Sequence, residues 1–371
     1  MVSVFTVVAA ACSGSGPQSA LEPQGETARD IDGLWDLVFI LATIVFIIVA
    51  TAMVVAMFRF RERKGDDREP KQLHGNSALE ITWTIVPAVL LAVIAVPTVR
   101  GIFDVRAEPT GERLDIDVVG HQWWWEFTYP GFTDADGRPL TTANELHIPV
   151  EEQVYLTMTS VDVIHSFWVP PLNGKRDVVP GRLTNLKLDA DASVAATDYG
   201  FGPGVILGQC AEFCGLAHAD MRLRVFVHTA ADFEAWAAAQ LQPAVEPTAG
   251  APAAGFQTFS SVCTACHRAA VDDGAGVEVL GRGRSITVDG VTMDTVLAPD
   301  LTHFGSRSTF GGATLDLTRD HLAAWLDNPS SLKPMDPDRN DIAAGRILGM
   351  PDLGLTEQEI FDLVELLEEW R

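Results

Sequence analysis

Twelve residues near the middle of the chain carry an unusual concentration of soft ligands. Cys210, Cys214, His218 and Met221 supply two thiols, an imidazole and a thioether, and His165 lies upstream. Thiolate, thioether and imidazole ligands suit copper. A mononuclear blue-copper site needs one Cys, two His and a weak Met. The second Cys therefore predicts a different site, in which two thiolates bridge two copper ions that share one electron.

Two other uses of these side chains are possible. Cys210, Cys214 and His218 have a spacing that permits a zinc site, but Met221 would then have no role. The two cysteines could also form a disulfide in an oxidising compartment. Both alternatives explain fewer of the residues than copper does.

A second motif, Cys263-Thr-Ala-Cys266-His267, has the pattern C-x-x-C-H. Two thiols at this spacing can attach both vinyl groups of a haem, and the adjacent histidine becomes the proximal iron ligand. A thioredoxin-like redox pair is the alternative, but no βαβ pattern surrounds the motif. The sequence therefore predicts a covalently bound haem c.

The sixth ligand of this haem should be a methionine downstream of His267. Met350 lies just before a predicted helix with a capping box at Thr356, so the helix can hold Met350 over the iron. Met335 lies in a rigid loop between two prolines and is the serious rival. Met293 lies in a Gly/Val/Asp-rich stretch typical of a surface insertion.

Around the copper motif, apolar and polar residues alternate in short runs. Residues 114–118, 154–159 and 222–227 show this period of two and are separated by Gly/Pro turns. Short alternating strands of this kind predict a β-sandwich or barrel. Such a fold would position both thiols and both histidines.

The N-terminal region contains two long uncharged runs, residues 37–58 and 81–99. The first would form a helix of ~33 Å, enough to cross a bilayer core. A buried core helix is the alternative for this run, but a basic stop follows it directly. The basic residues of the connection and its far edge are Arg59, Arg61, Arg63, Lys64, Arg68, Lys71 and Arg100. By the positive-inside rule this connection is cytoplasmic, and everything after residue 100 lies outside.

The charge of the chain excludes one class of function. Fifty acidic residues stand against 26 basic ones, giving a net charge of −24, whereas nucleic-acid binding needs a basic surface. Residues 251–371 alone carry 19 acidic and nine basic side chains.

Over about residues 30–230 the chain closely resembles subunit II of haem–copper cytochrome c oxidases. The resemblance lies in the motif C-x-E-x-C-x-x-x-H-x-x-M and in segments 80–87, 120–127, 162–170 and 180–182. The resemblance implies a binuclear CuA centre. Its ligands would be His165, Cys210, Cys214, His218, Met221 and the backbone carbonyl of Glu212.

The same resemblance implies further roles. The Glu212 carboxylate would bind a magnesium ion at the interface with subunit I, Trp123 would be the aromatic residue that receives electrons, and Glu80 would lie at the cytoplasmic mouth of a proton channel in subunit I. The loop at Met350 resembles the ligand loop of class I cytochromes c. Segment 299–307 resembles a signature of subunits II with a fused cytochrome c, and we interpret His303 as a hydrogen-bonding residue of the haem surround.

The expected architecture is therefore multidomain. A signal- or lipoprotein-like segment and tether with Cys12 would occupy residues 1–29, and a two-helix transmembrane hairpin residues 30–107. A cupredoxin-like β-sandwich or barrel carrying CuA would follow at 108–243. A flexible linker at 244–254 would lead to a small all-α cytochrome c domain at 255–371.

The expected function is electron input into a proton-pumping terminal oxidase of the bacterial inner membrane. The partners would be oxidase subunit I and other oxidase subunits, membrane lipid, and cytochrome c or a quinol:cytochrome c reductase as donor. A membrane-anchored carrier outside an oxidase is the alternative. A nitrous oxide reductase is disfavoured because nine scattered histidines do not supply its His-rich copper site.

Overall fold

The structure is a computed structural model and describes residues 16–61, 74–338 and 348–371. The predicted signal segment with Cys12 lies outside the described residues, as do four basic residues of the predicted cytoplasmic connection, Arg63, Lys64, Arg68 and Lys71. The chain forms two compact units. One comprises residues up to 28 together with 108–371, and the other comprises residues 29–107.

Two long helices, α1 (Glu26–Arg59) and α2 (Ser77–Arg106), contain the two uncharged runs. Both are long and apolar enough to cross a membrane, and their apolar side chains are exposed, as expected for helices that face lipid. Asn76 caps α2 by accepting hydrogen bonds from the amides of Ala78 and Leu79 at 3.1 and 3.2 Å. Glu80 lies exposed in the first turn of α2.

Ten strands form the predicted β-sandwich. They are β1 (Leu114–His121), β2 (Trp124–Thr133), β3 (Pro139–Ala143), β4 (Glu145–Pro149), β5 (Val154–Ser160), β6 (His165–Trp168), β7 (Arg176–Val178), β8 (Thr184–Leu188), β9 (Val205–Cys210) and β10 (Arg222–His228). One sheet has the order β3-β2-β1-β5-β8 and the other β4-β10-β9-β6-β7.

The alternation seen in the sequence sets which side chains form the core. Leu114, Ile116 and Val118 of β1 are at most 6% exposed, whereas Asp115 between them is exposed. Strand β1 pairs antiparallel with β2 and parallel with β5, so the apolar face is continuous across the sheet. The prediction of a sandwich is confirmed.

Residues 244–254 require a correction. The Pro/Ala/Gly-rich composition indicated a flexible linker, but Ala244–Val245 forms strand β11, and helix α4 (Gly250–Val262) begins inside the predicted linker. Strand β11 follows α3 (Ala230–Gln240) and pairs parallel with β12 (Ala269–Asp272). The connection is therefore largely ordered, because the strand ladder holds one end of it and the helix holds the other.

The C-terminal domain is helical, as predicted, with α4, α5 (Arg319–Asp327), α6 (Pro329–Leu332) and α7 (Glu357–Glu369). The capping box at Thr356 is present. The apolar face of α7 is buried against α4 in a core that includes Phe259, Leu363 and Leu367. Small strands accompany the helices, which the sequence did not predict: β12 with β13 (Val277–Leu280), and β16 (Thr309–Phe310) with β17 (Leu315–Asp316).

The stretch around Met293 forms a β-hairpin, β14 (Gly283–Val288) and β15 (Val291–Val296). Its turn places Asp289 and Gly290 at φ of 50° and 83°. Positive φ at both central residues is typical of a type I′ turn, and Asp-Gly is a preferred pair there. Met293 is 2% exposed, so it is packed inside the domain and not on an open surface.

Candidate copper and haem sites

The predicted copper ligands meet at one end of the second sheet. Strand β6 begins at His165 and β9 ends at Cys210, and these strands are antiparallel neighbours with Phe167 opposite Cys210. The loop after β9 carries Cys214, and a short turn carries His218. Met221 comes just before β10. The sheet therefore fixes His165 and Cys210, and the loop between β9 and β10 supplies the other members of the cluster.

The donor atoms lie within contact of one another. Cys210 Sγ is 3.8 Å from Cys214 Sγ and 3.9 Å from His165 Nδ1. Cys214 Sγ is 3.6 Å from His218 Nδ1 and 3.8 Å from the Met221 Sδ. The two thiols thus form a central pair with one imidazole beside each. This separation of the sulfurs is far beyond a disulfide bond of about 2.05 Å.

Backbone and carboxylate groups complete the surround. The Glu212 carbonyl oxygen is 3.3 Å from Cys210 Sγ, while the Glu212 side chain is exposed. His165 Nε2 bonds Asp162 Oδ1 at 2.8 Å, which leaves Nδ1 directed at the thiol. Carboxylate partners of this kind fix the tautomer and orientation of metal-binding histidines. Burial lowers the pKa of His165, but the hydrogen bonds to Asp162 and Cys210 outweigh it and raise that pKa.

The pKa values of the two thiols are shifted in opposite directions. The hydrogen bond from Cys214 is the main cause that lowers the pKa of Cys210 to about 3, and the Cys210 thiolate in turn raises the pKa of Cys214. Both thiols must be deprotonated to bind a cation, so binding would release protons. His165, Cys210 and Cys214 are all buried, and their ligand atoms lie within 4.8 Å of one another.

The haem motif lies at the end of α4. Cys263 begins a short turn that continues to Cys266, and His267 follows it. These three residues line a cavity of about 300 Å³ whose remaining walls are mainly apolar, and Met335 and Met350 also line it. His267 Nδ1 donates to the Pro299 carbonyl at 2.8 Å, so Nε2 keeps its lone pair for iron. Burial lowers the pKa of His267, which favours the neutral ligand form.

These residues fit a covalent haem. Cys263 and Cys266 are free thiols, and burial raises the pKa of Cys263 to about 12, so it stays protonated until it reacts. An apolar cavity with two thiols, an oriented imidazole and a choice of two thioethers, of which the iron needs one, fits a haem c. The copper cluster likewise offers the donor set that a thiolate-bridged copper pair requires.

The two candidate methionines occupy different packing environments. Met350 packs with the core of the C-terminal domain, and its Sδ accepts a hydrogen bond from Trp325 Nε1 at 3.2 Å. Met335 packs against the core of the sandwich. The assignment of Met350 as the distal ligand stays a prediction, and its packing within the haem domain supports it.

We expect Met350→Ala to open the iron to carbon monoxide and Met350→His to lower the haem potential, because a thioether ligand raises the potential relative to a second histidine. Met335→Ala is the matched control and should do neither. Carbon monoxide difference spectra and redox titration of the full chain give the answer. Carbon monoxide binding by Met335→Ala alone would reverse the assignment.

The structure does not place His303 among the residues that line the haem cavity. Burial lowers the pKa of His303, and backbone hydrogen bonds to Arg371 and Gln242 partly oppose that shift. His303 lines a separate cavity of about 460 Å³ between the sandwich and the C-terminal domain. His303 lies directly before the short turn Phe304–Ser306, whose Phe304 lines the haem cavity.

Trp123 joins the two candidate sites. It lines the haem cavity, it is 5% exposed, and its indole Nε1 donates to the Cys214 carbonyl at 2.9 Å. Gly215 has a φ of 111°, and a Cβ there would lie 3.2 Å from the Trp123 ring. A glycine is therefore needed for the indole to pack against the copper loop.

Two buried glutamates that the sequence analysis missed hold the C-terminal domain on the sandwich. Glu145 Oε1 accepts from the amides and hydroxyls of Ser308 and Thr309 at 2.6–3.0 Å. Glu126 Oε2 bonds His121 at 2.9 Å and accepts from the Thr295 hydroxyl of the β14–β15 hairpin at 2.5 Å. Both glutamates lie in strands, and the alternating pattern predicts that a charged strand residue faces solvent. The pattern therefore gave no signal that these two are buried.

The copper loops also carry exposed apolar side chains. Phe213 and Leu216 are 76% and 60% exposed, and Val163 and Ile164 on the neighbouring loop are 36% and 45% exposed. Together with Glu212 they form a surface that we call the copper face. Apolar side chains concentrated at one site are typical of a contact with another protein.

Comparison with known proteins identifies each part of the chain. Residues 114–228 match the family "Cytochrome C oxidase subunit II, periplasmic domain", residues 16–100 match "Cytochrome C oxidase subunit II, transmembrane domain", and residues 252–370 match "Cytochrome c".

Relatives match along nearly the whole length. Cytochrome c oxidase subunit 2 of Alkalihalophilus pseudofirmus is 35% identical, with 90% of this chain and 88% of the relative covered. The subunit of the same name from Bacillus sp. (strain PS3) is 33% identical, with 90% and 89% covered. The crystal structure of the periplasmic domain of subunit II of cytochrome oxidase from Bradyrhizobium japonicum is 27% identical, covers 36% of this chain and 96% of that chain, and has a TM-score of 0.29.

Proposed function

Because this chain belongs to the cytochrome c oxidase subunit II family, we propose that it passes electrons from a covalently bound haem c to a binuclear CuA centre and on to haem a of subunit I. The family makes it a component of a haem–copper oxidase, anchored in the membrane and carrying a periplasmic domain. The observation that carries the proposed route is Trp123, which lines the haem cavity and donates to the Cys214 carbonyl.

Six groups of the sandwich would hold the copper pair: the side chains of His165, Cys210, Cys214, His218 and Met221, and the Glu212 carbonyl. Bound there, the pair supplies a carrier of one electron whose charge is shared over both metals. The chain itself supplies a rigid cradle. Asp162 orients His165, and the sheet holds Cys210, so little rearrangement of these ligands is needed as the charge changes.

Cys263 and Cys266 would anchor the haem, and His267 with Met350 would bind its iron. The haem supplies the one-electron donor to the copper centre. The chain excludes water from the site through the apolar walls of the cavity, to which the sandwich contributes Gln122, Trp123 and Trp124.

The copper face supports subunit I as the partner of this chain. Its exposed apolar side chains lie on the loops that hold the copper ligands, so a partner docked there would be close to the acceptor site. Glu212 is exposed beside them and is free to bind the proposed magnesium ion, since carboxylate oxygens suit this hard cation. Other oxidase subunits and membrane lipid would contact the two apolar helices.

The external donor would deliver its electrons to the haem domain and not to Trp123, because Trp123 is buried beneath that domain. Cytochrome c or a quinol:cytochrome c reductase would fill this role. The excess of acidic residues in 251–371 favours a donor with a basic surface. The bacterial inner membrane, with both redox domains outside, fits the basic residues Arg59 and Arg61 at the end of α1.

The proposal is tested on the complex purified in detergent through this chain. Haem a should copurify, and anaerobic mixing with a reduced donor should reduce haem c first, then CuA, then haem a. Oxygen should then be consumed. A preparation with haem c and copper but without haem a would instead identify a membrane-anchored carrier outside an oxidase.

We also propose that Glu80 feeds protons to subunit I from the cytoplasmic side, since it is a carboxylate in the first turn of α2. In the same experiment, Glu80→Gln should slow oxygen turnover while haem c and CuA are reduced at the normal rate. Asp104→Gln, near the other end of α2, is the control. Unchanged turnover in Glu80→Gln would make Glu80 an ordinary helix-end charge.

A further inference from the structure

Lys333 is a buried lysine in the loop that follows α6. It is 3% exposed, and its Nζ donates to the Trp123 carbonyl at 2.7 Å and to the Gly311 carbonyl at 3.0 Å. An ammonium taken out of water is costly unless it is hydrogen-bonded. Burial lowers the pKa of Lys333 to about 7, and Asp220 and Cys214 oppose that shift. A residue kept at this cost needs a reason beyond filling space.

The neighbourhood of the ammonium is tightly built. Gly312 has a φ of 81°, and a Cβ there would lie 2.4 Å from Lys333 Nζ, 2.5 Å from the Asp220 carbonyl and 3.1 Å from the Trp123 carbonyl. The Gly312 carbonyl also accepts from the Arg222 amide at 2.9 Å. Only a glycine permits this approach of the two domains. Lys333 therefore lies where the loop 311–312 of the haem domain meets the sandwich.

This contact lies on the proposed electron route. Lys333, Gly311 and Trp123 all line the haem cavity. Trp123 in turn donates to the copper loop at the Cys214 carbonyl. Lys333 thus connects the Gly311 loop of the haem cavity to the backbone of Trp123, whose indole contacts the copper loop.

We propose that Lys333 is a positioning residue that fixes the haem domain against Trp123 and so sets the rate of electron transfer from the haem to the copper pair. The inference rests on the proposed function. Glu126 and Glu145 hold the domains together elsewhere, through buried hydrogen bonds. Loss of Lys333 should therefore loosen the wall beside Trp123 without separating the domains.

The test compares wild type with Lys333→Met in the full complex. Transfer from haem c to CuA, followed after rapid reduction of the haem, should slow ~10-fold or more, because displacing reacting groups by ~1 Å can cost up to ~100-fold. The spectra of both centres, the copper content and the KM for the external donor should stay as in wild type, which general destabilisation would not allow. Lys175→Met, at an exposed lysine of the sandwich, is the matched control.

If Lys333→Met does not accumulate with both cofactors, Lys333→Gln is measured in its place. Its amide keeps an N–H donor but ends one bond shorter, so transfer should be slower than in wild type and faster than in an apolar variant. A wild-type rate of haem-to-copper transfer in either variant overturns the role of Lys333 but leaves the proposed function standing. Absence of haem-to-copper transfer in wild type overturns the proposed function and this inference with it.

Discussion

Replacing both thiols proposed to attach the haem, Cys263→Ala with Cys266→Ala, is expected to cut oxygen turnover with a protein donor by ~100-fold or more. The reason is geometric. Trp123 is covered by the haem domain, so an external donor has no access to the sandwich side of the route. Linking two partners raises their effective concentration, which can strengthen their association by ~10²–10⁴.

The measurement combines covalent haem content, copper content and turnover of the purified complex. Thr264→Ala is the matched control, since Thr264 lies between the two cysteines and its hydroxyl donates an exposed hydrogen bond to the Ser260 carbonyl at 2.8 Å. Copper content should be normal in the double variant, and a small artificial reductant should restore part of the turnover. Full turnover with the protein donor would place the haem off the route.

Cys214→Ser should have an effect of similar size at the copper centre. Cys214 Sγ contacts the other thiol, His218 and Met221, so it is the donor that connects the cluster. A hydroxyl is a poor ligand for copper and does not replace a bridging thiolate. Since loss of an outer-shell partner alone can cost ~10–100-fold in metal affinity, loss of this ligand should cost more than ~100-fold.

Copper content should fall from two per chain to one or none, the purple colour should disappear, and haem c should be reduced normally but fail to pass its electron on. Ser166→Ala is the control, because the Ser166 hydroxyl is buried on β6 and bonds nothing in the part of the chain that the structure describes. Met221→Leu should perturb the spectrum of the copper centre without loss of copper. Met158→Leu, in the sandwich core, should leave both the spectrum and the copper content unchanged. Two coppers per chain in Cys214→Ser would refute a thiolate-bridged pair.

The sequence located the chemistry well because each motif is local. The two thiols, one imidazole and the thioether of the copper motif lie within twelve residues, whereas His165 joins them through the pairing of β6 with β9, which the sequence did not predict. The capping box at Thr356 and the apolar face of α7 were predictable for the same reason. Local spacing fixes these features, so one sequence suffices.

Features that depend on distant segments were not predictable. Lys333 reaches Trp123 across 210 positions, and Glu145 reaches Thr309 across 164, so no period or spacing could pair them. Composition alone also misled at 244–254, where pairing with β12 orders a segment that looks flexible. The β14–β15 hairpin was predictable, because Asp289-Gly290 stands between alternating apolar residues, a strong hairpin signal.

The buried contacts of Glu126 and Glu145 have a consequence for how the chain exchanges electrons. A diffusing redox protein must leave its acceptor after every electron, so such contacts are kept small and weak. Here the haem domain has no need to dissociate, and its carboxylates are bonded as in a protein core. Under the proposed function the haem domain would be a stationary relay, and the release step that limits a mobile carrier would move outward, to the surface where the external donor binds and departs.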